Sequence, residues 1–220
     1  MAEAPHNQPG TATHVSANQW RTGLLKACVG AHVVRGVAED IADACLALLT
    51  LDRDPLPAML ALLDDWKRPT TNTPPPQFKA IGDRQCCGSA IAVLAHGPSI
   101  IDLAQAGRTV DCEVDSGLLL LGLAQSRSHS QGVMFEILPE GGATWTDVAT
   151  SISSNLSSVA PNGMSVRLKS TGERLKQDLT QLPQPSAEHW TRLQKLTEAI
   201  LVPADSSNRA DAGAGLTDND

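Results

Sequence analysis

Two adjacent thiols, Cys86 and Cys87, stand directly before Gly88 and Ser89. A vicinal pair invites a redox switch or a nucleophile. The spacing is not the C-x-x-C of thiol–disulfide enzymes, however, and no histidine stands at a recognisable distance to serve as base. Free cysteine packs as a small hydrophobe, so the pair reads as structural. The histidines are His6, His14, His32, His96, His129 and His189. No two of them form H-x-H or H-x-x-x-H, so a helix-borne metal site has no support. His96 precedes Gly97-Pro98 and reads as a solvated histidine at the end of an element. The stretch Ser126–Ser130, with Arg127 and His129, reads as a polar hairpin loop, and a Ser/His pair two apart in a loop is not a triad. Ser116-Gly117 lacks the nucleophile-elbow pattern. No G-x-G-x-x-G follows a strand and no Walker A lysine is present. Neither a metal nor an organic cofactor is expected.

Charged residues offer one ordered row. Arg35, Glu39 and Asp43 lie at i, i+4 and i+8, hence on one helix face. As a solvated face such a row contributes about 0.3 kcal/mol per ion pair. As a functional row it would bind an anion or a substrate in a cleft.

The elements that must hold these groups follow from periodicity. Residues 1–14 are polar, with Pro5, Pro9 and Gly10, and read as a disordered lead-in. A helix starts near Ser16, with Trp20, Leu24 and Cys28 on one side. Val34, Val37, Ala38, Ile41, Cys45, Leu48 and Leu49 make the apolar stripe of a second helix, with Glu39, Asp40 and Asp43 off it. A third begins after Asp54, with Met59, Leu62, Leu63 and Trp66 as its stripe, and stops at Pro69. Residues 15–68 thus form a helical subdomain, followed by a Pro-rich linker over 69–77. In the remainder, 78–203, Ser99 and Asp102 resemble a capping box that opens a short helix ended by Gly107. Strands are predicted at Val110–Val114, at Leu118–Leu121 as a buried run, at Val133–Ile137 and around Val166–Leu168. A last helix runs from Ser186 as N-cap to about Leu201. The tail, 204–220, is acidic and rich in Gly and Ala.

Composition narrows the function classes. The net charge of −7 repels phosphate backbones, and no basic cluster with interleaved aromatics offsets it, so nucleic-acid binding is not expected. The longest apolar stretch, Gly117–Ala124, is far too short to span a bilayer. Five cysteines without a framework spacing, and an N-terminus lacking an apolar signal core, point to reduced thiols in a cytoplasm. There is no Tyr, so the core must be built mainly from Leu, Ala, Val and Ile.

The tail ends Gly213-Ala214-Gly215-Leu216-Thr217-Asp218-Asn219-Asp220, after Val202-Pro203 and Arg209. This ending resembles that of a family of bacterial domains of unknown function, which finish on a Gly/Ala run and a Thr-Asp-Asn-Asp-like terminus. Gly36-Val37-Ala38-Glu39-Asp40 is similar to the first helical hairpin of the same family. Around Arg209 the match departs, with Ser206-Ser207-Asn208 in place of an acidic serine-containing stretch. The resemblance implies a bacterial source and a tail with a role, and it names no activity. Small acidic termini usually fray. Alternating glycines nevertheless let a backbone approach a surface closely.

The fold class expected is α+β: an N-terminal helical subdomain packed on a mostly antiparallel sheet, with a C-terminal helix. The function expected is non-catalytic, a small-molecule-binding protein or an accessory subunit of a metabolic enzyme. The alternative is an enzyme acting on a small metabolite through carboxylates of the second helix and the tail. The candidate ligand-binding residues are Arg35, Glu39, Arg209, Asp218 and Asp220. A homo-oligomer is left open.

Overall fold

A computed structural model of the chain describes residues 14–66, 77–82, 84–87, 91–139, 163–171 and 178–198. Helix α1, Ala17–Gly30, opens on a capping box. The Ser16 hydroxyl accepts the Gln19 N–H at 3.3 Å, and the Gln19 side chain accepts the Ser16 N–H at 2.8 Å. Trp20, Leu24, Ala27 and Cys28 make its buried side, as their spacing predicts. Helix α2, Arg35–Leu49, is buried on more than one side from Ala38 onward, including Ala44, Leu46 and Ala47. Val34, expected in its stripe, is instead the uncapped N-terminal residue and is 73% exposed. Helix α3, Leu56–Asp65, starts where the Asp54 carboxylate accepts the Leu56 N–H at 2.9 Å. The predicted stop at Pro69 and the Pro-rich linker lie largely outside the described residues, which resume at Gln77.

Among the described residues the sheet has five strands: β1 Phe78–Ile81, β2 Arg84–Cys87, β3 Thr109–Glu113, β4 Val133–Pro139 and β5 Gly163–Thr171. Their order is β1-β2-β3-β5-β4. Only β2 and β3 run parallel, and the other three pairings are antiparallel. The parallel pair is joined by helix α4, Val93–Gln105, as a crossover requires. An isolated parallel bridge, Ile91–Val114, follows with its register shifted by two residues. The α+β class, the mostly antiparallel sheet and the terminal helix are all present.

Local expectations are corrected in two segments. The Leu118–Leu121 run is not a strand. It opens helix α5, Gly117–Gln131, whose N-cap Ser116 accepts the Leu119 N–H at 3.3 Å and whose C-cap Gly132 has φ +69°. The predicted loop Ser126–Ser130 forms the last turns of that helix. Helix α5 lies between α2 and the sheet, so its first half is apolar all round. A short apolar run of that kind has no period that separates a buried helix from a buried strand. The second correction concerns α4, which starts at Val93 rather than at Ser99. Its first N–H finds an acceptor in the connection between β3 and α5, Asp115 Oδ1 at 2.9 Å. Pro98 and His96 therefore sit inside the helix.

Helices α4 and α5 cover one face of the sheet. Helix α2 packs on their far side, α1 packs on α2, and helix α6, Ala187–Glu198, packs on α1 and α3. The N-terminal helices thus reach the strands through α4 and α5, and one hydrophobic core runs through all of these layers. The predicted N-cap of α6 is present, with the Ser186 hydroxyl accepting the His189 N–H at 3.2 Å. Leu193 is its fully buried residue, and Trp190 meets Trp20 edge-on with ring centroids 5.3 Å apart. Gly23 makes room for this contact, since a Cβ there would lie 3.3 Å from Leu193 Cδ2. Arg192 pairs with Asp64 across α6 and α3. Among the described residues no helix is long and apolar enough to cross a membrane.

Candidate functional site

A cavity of about 210 Å³ opens between α2, α4 and α5. Each helix contributes residues at helical spacing: Asp40 and Asp43 from α2, Pro98 and Ile101 from α4, and Leu123, Ser126, Arg127 and Ser130 from α5. Two glycines set the helix approach beside it. A Cβ on Gly97 would come within 2.7 Å of Leu123 Cδ1, and one on Gly122 within 2.7 Å of the Ala44 main-chain oxygen. At Gly122 the close atom is backbone, so only glycine permits α5 to lie so near α2. Pro98 has no N–H, so the helix lacks its usual bond back to the Leu94 carbonyl. The volume falls below the roughly 300–1,000 Å³ of drug-sized and cofactor pockets, and suits a small polar molecule.

The charges at this cleft are unevenly paired. Arg21 grips Asp43 with both arms of its guanidinium, Nε to Oδ1 at 2.6 Å and Nη2 to Oδ2 at 3.2 Å. That hydrogen bond is the main reason the Arg21 pKa lies above its usual value. Arg127 Nη2 holds Asp102 Oδ1 at 3.1 Å. Asp40 has neither a hydrogen bond nor an ion pair with a described residue. Its carboxyl is raised above the usual range, first by burial, against the pull of Arg127 and with the push of Asp102, Asp43 and Glu39. Asp43 and Asp102 are thus directly paired, whereas Asp40 has only the more distant pull of Arg127.

Of the residues expected to bind a ligand, Arg35 and Glu39 pair with each other at 3.1 Å. The Arg35 side chain is 81% exposed. Asp43, the third member of their row, turns to Arg21 and to the cleft instead. Arg209, Asp218 and Asp220 lie outside the described residues. Asp40 and Arg127 were not singled out from the sequence as ligand residues. Asp40 reads there as one more acid off the stripe. Arg127 falls in the stretch read as a loop, which hides its alignment with Leu123 and Ser130. The i, i+3 spacing of Asp40 and Asp43 on the edge of the apolar stripe is the signal that could have found Asp40.

The remaining candidates separate. His96 and His129 are both lowered below the usual histidine range by burial. The buried Gln125 amide lies 2.8 Å from His129 Nε2, one turn along α5. Cys86 lies beside Asp111, its Sγ donating to Oδ2 at 3.7 Å, and Arg84 pairs with the same carboxylate at 3.3 Å. Among the described residues no three His, Cys, Asp or Glu side chains converge as a metal site. Comparison with protein-family models, with curated proteins and with solved structures finds no match to this chain.

Proposed function

We propose that this chain is a non-catalytic binding protein for a small polar molecule with a cationic group, taken up between α2, α4 and α5. The observation that carries the reading is Asp40. It is a half-buried carboxylate at the cavity, with other acids nearby and no direct partner among the described residues. A ligand ammonium or guanidinium supplies the direct counter-charge that Arg127, turned to Asp102, does not, and Ser126 and Ser130 offer hydroxyls around it. Arg35, Glu39, Arg209, Asp218 and Asp220 belong to this proposal as an outer, electrostatic part of the site, with the acidic tail adding to the attraction for a cation. The setting proposed is a bacterial cytoplasm, where the free thiols stay reduced. The partner proposed is a metabolic enzyme to which the chain is an accessory. An enzyme acting on a small metabolite is the second reading, because a carboxyl raised by burial is also a proton carrier.

The test is a thermal-shift panel of small amines, amino acids, guanidines and carboxylates on the wild type and on Asp40→Asn. A ligand that binds only the folded state adds about 2.7 kcal/mol at a hundredfold excess over Kd. Cation-bearing compounds should raise the wild-type Tm and leave that of Asp40→Asn unmoved. Hits confined to anions, or hits indifferent to Asp40, defeat the reading. Turnover of a hit compound would transfer the site to the enzyme reading.

A further inference from the structure

We propose that Cys87 and Cys112 are a dithiol pair that closes reversibly to a disulfide across the β2–β3 junction, with a low-molecular-weight disulfide as oxidant. The sequence presents Cys86 and Cys87 as the pair, and the sheet separates them. Successive residues of a strand point to opposite faces, and both lie in β2. Cys86 goes with Asp111 and Arg84 on the face away from the helices. Cys87 packs against the hydrophobic core on the helix-covered face. An extended vicinal pair with side chains on opposite faces cannot bridge while the sheet stays intact.

The partner of Cys87 comes from the neighbouring strand. Strands β2 and β3 run parallel with Gln85 opposite Val110 and Cys86 opposite Asp111. The paired register ends there; Cys87 and Cys112 are the next residue of each strand, ahead of the Ile91–Val114 bridge, whose register is shifted by two. Val110 and Cys112 are both buried on the helix-covered face, so the two thiols share a side. Neighbouring strands lie about 4.8 Å apart, within the roughly 4.4–6.8 Å Cα separation that a disulfide spans. The electrostatics agree: the Cys112 thiol is pushed up to about 12, by burial first and by Cys87 next. The other thiols are placed differently. Cys28 and Cys45 are fully buried between α1 and α2, out of reach of a solution oxidant. Cys86 is held up by desolvation and by the Asp111 carboxylate.

The chemistry balances as two exchanges. The Cys87 thiolate attacks one sulfur of the small disulfide, forms a mixed disulfide and expels one thiolate. Cys112 then loses its proton and attacks the Cys87 sulfur, and the second small thiol leaves. Two protein thiols are oxidised and one small disulfide is reduced to two thiols. The second step is slow near neutrality because Cys112 rarely ionises there, and it speeds up as pH rises.

The experiment is incubation of the full chain with oxidised glutathione at several pH values, an acid quench, tryptic digestion without reductant and mass spectrometry. Trypsin cuts after Arg84, Arg108 and Arg127 and so separates the peptide of Cys86 and Cys87 from that of Cys112. The expected product is these two peptides cross-linked, in wild type and in Cys86→Ser, at a rate that climbs about tenfold per pH unit while Cys112 remains mostly protonated. Cys112→Ser should stop at a glutathione adduct on Cys87. Cys87→Ser, which alters a half-buried position, should show no cross-link and serves if the Cys112 variant fails to fold. A cross-link that persists in Cys87→Ser, a Cys86–Cys87 bridge, or closure seen only in denaturant would overturn the proposal.

Discussion

A Cβ on Gly122 would stand 2.7 Å from the main-chain oxygen of Ala44 and 3.0 Å from Leu48 Cγ, so α5 rests on the backbone of α2 at this point. Backbone cannot turn aside as a flexible side chain can. Gly122→Ala should therefore destabilise the fold by about 1–3 kcal/mol through overpacking. Gly36, in the first turn of α2, has nothing within 4 Å of the same added atom. Gly36→Ala should stabilise by about 0.4–1 kcal/mol. Urea melts of the two variants check both signs, and a tolerated Gly122→Ala would show that the α2–α5 contact is looser than this.

The Asp40 prediction concerns pH. Its carboxyl is raised in the folded state, so the charged form costs stability. That stability is fully present below the ordinary carboxylate range and is lost as pH rises through the higher folded pKa. Asp40→Asn should accordingly melt above wild type at pH 7, and the two should converge in acid below the unfolded aspartate pKa of about 3.9. A variant that melts lower at pH 7 would mean that Asp40 is paired in solution.

Asp115 is a cap supplied from outside its helix, accepting the Val93 N–H at 2.9 Å. Asp115→Ala should cost about 0.5–2 kcal/mol. Burial raises this carboxyl more than its backbone hydrogen bonds lower it. Asp115→Asn keeps an acceptor without the buried charge, and should equal or exceed wild type at pH 7 in a thermal melt. Equal losses from Ala and Asn would remove the cap from the account of α4.

Ile41 is fully buried on α2, while Arg35 on the same helix faces solvent and pairs with Glu39. Ile41→Ala should cost about 2–5 kcal/mol. Arg35→Ala should cost under about 1 kcal/mol. Denaturant midpoints at constant m-value separate the two, and similar costs would place the helix in a different phase.

The tail carries the last expectation. Deleting residues 216–220, which removes Asp218 and Asp220, should weaken binding of a cationic ligand several-fold and leave the Tm unchanged. Calorimetric titration of full and shortened chains decides it. Unchanged affinity removes both aspartates from the site.

Local signals carried much of the architecture. The Ser16 and Ser186 caps, the stripes of α1 and α2, and the alternation of Val110 with Cys112 and of Phe135 with Ile137 are written in near neighbours, where capping and periodicity act. The state of Leu118–Leu121 was not, because a segment enclosed on every side has no polar face to betray its period. That enclosure by α2 and the sheet exists only after folding. The start of α4 depends on Asp115, twenty-two residues away, and no local window contains that acceptor. The cleft has the same origin. Asp40 and Arg127 are ordinary charged residues in one dimension, and what distinguishes Asp40 is that Arg21 takes Asp43 and Arg127 takes Asp102, leaving Asp40 without a direct ion pair among the described residues. Cys86 and Cys87 are neighbours along the chain, and the pleat, which alternates side chains across the sheet, sends them to opposite faces.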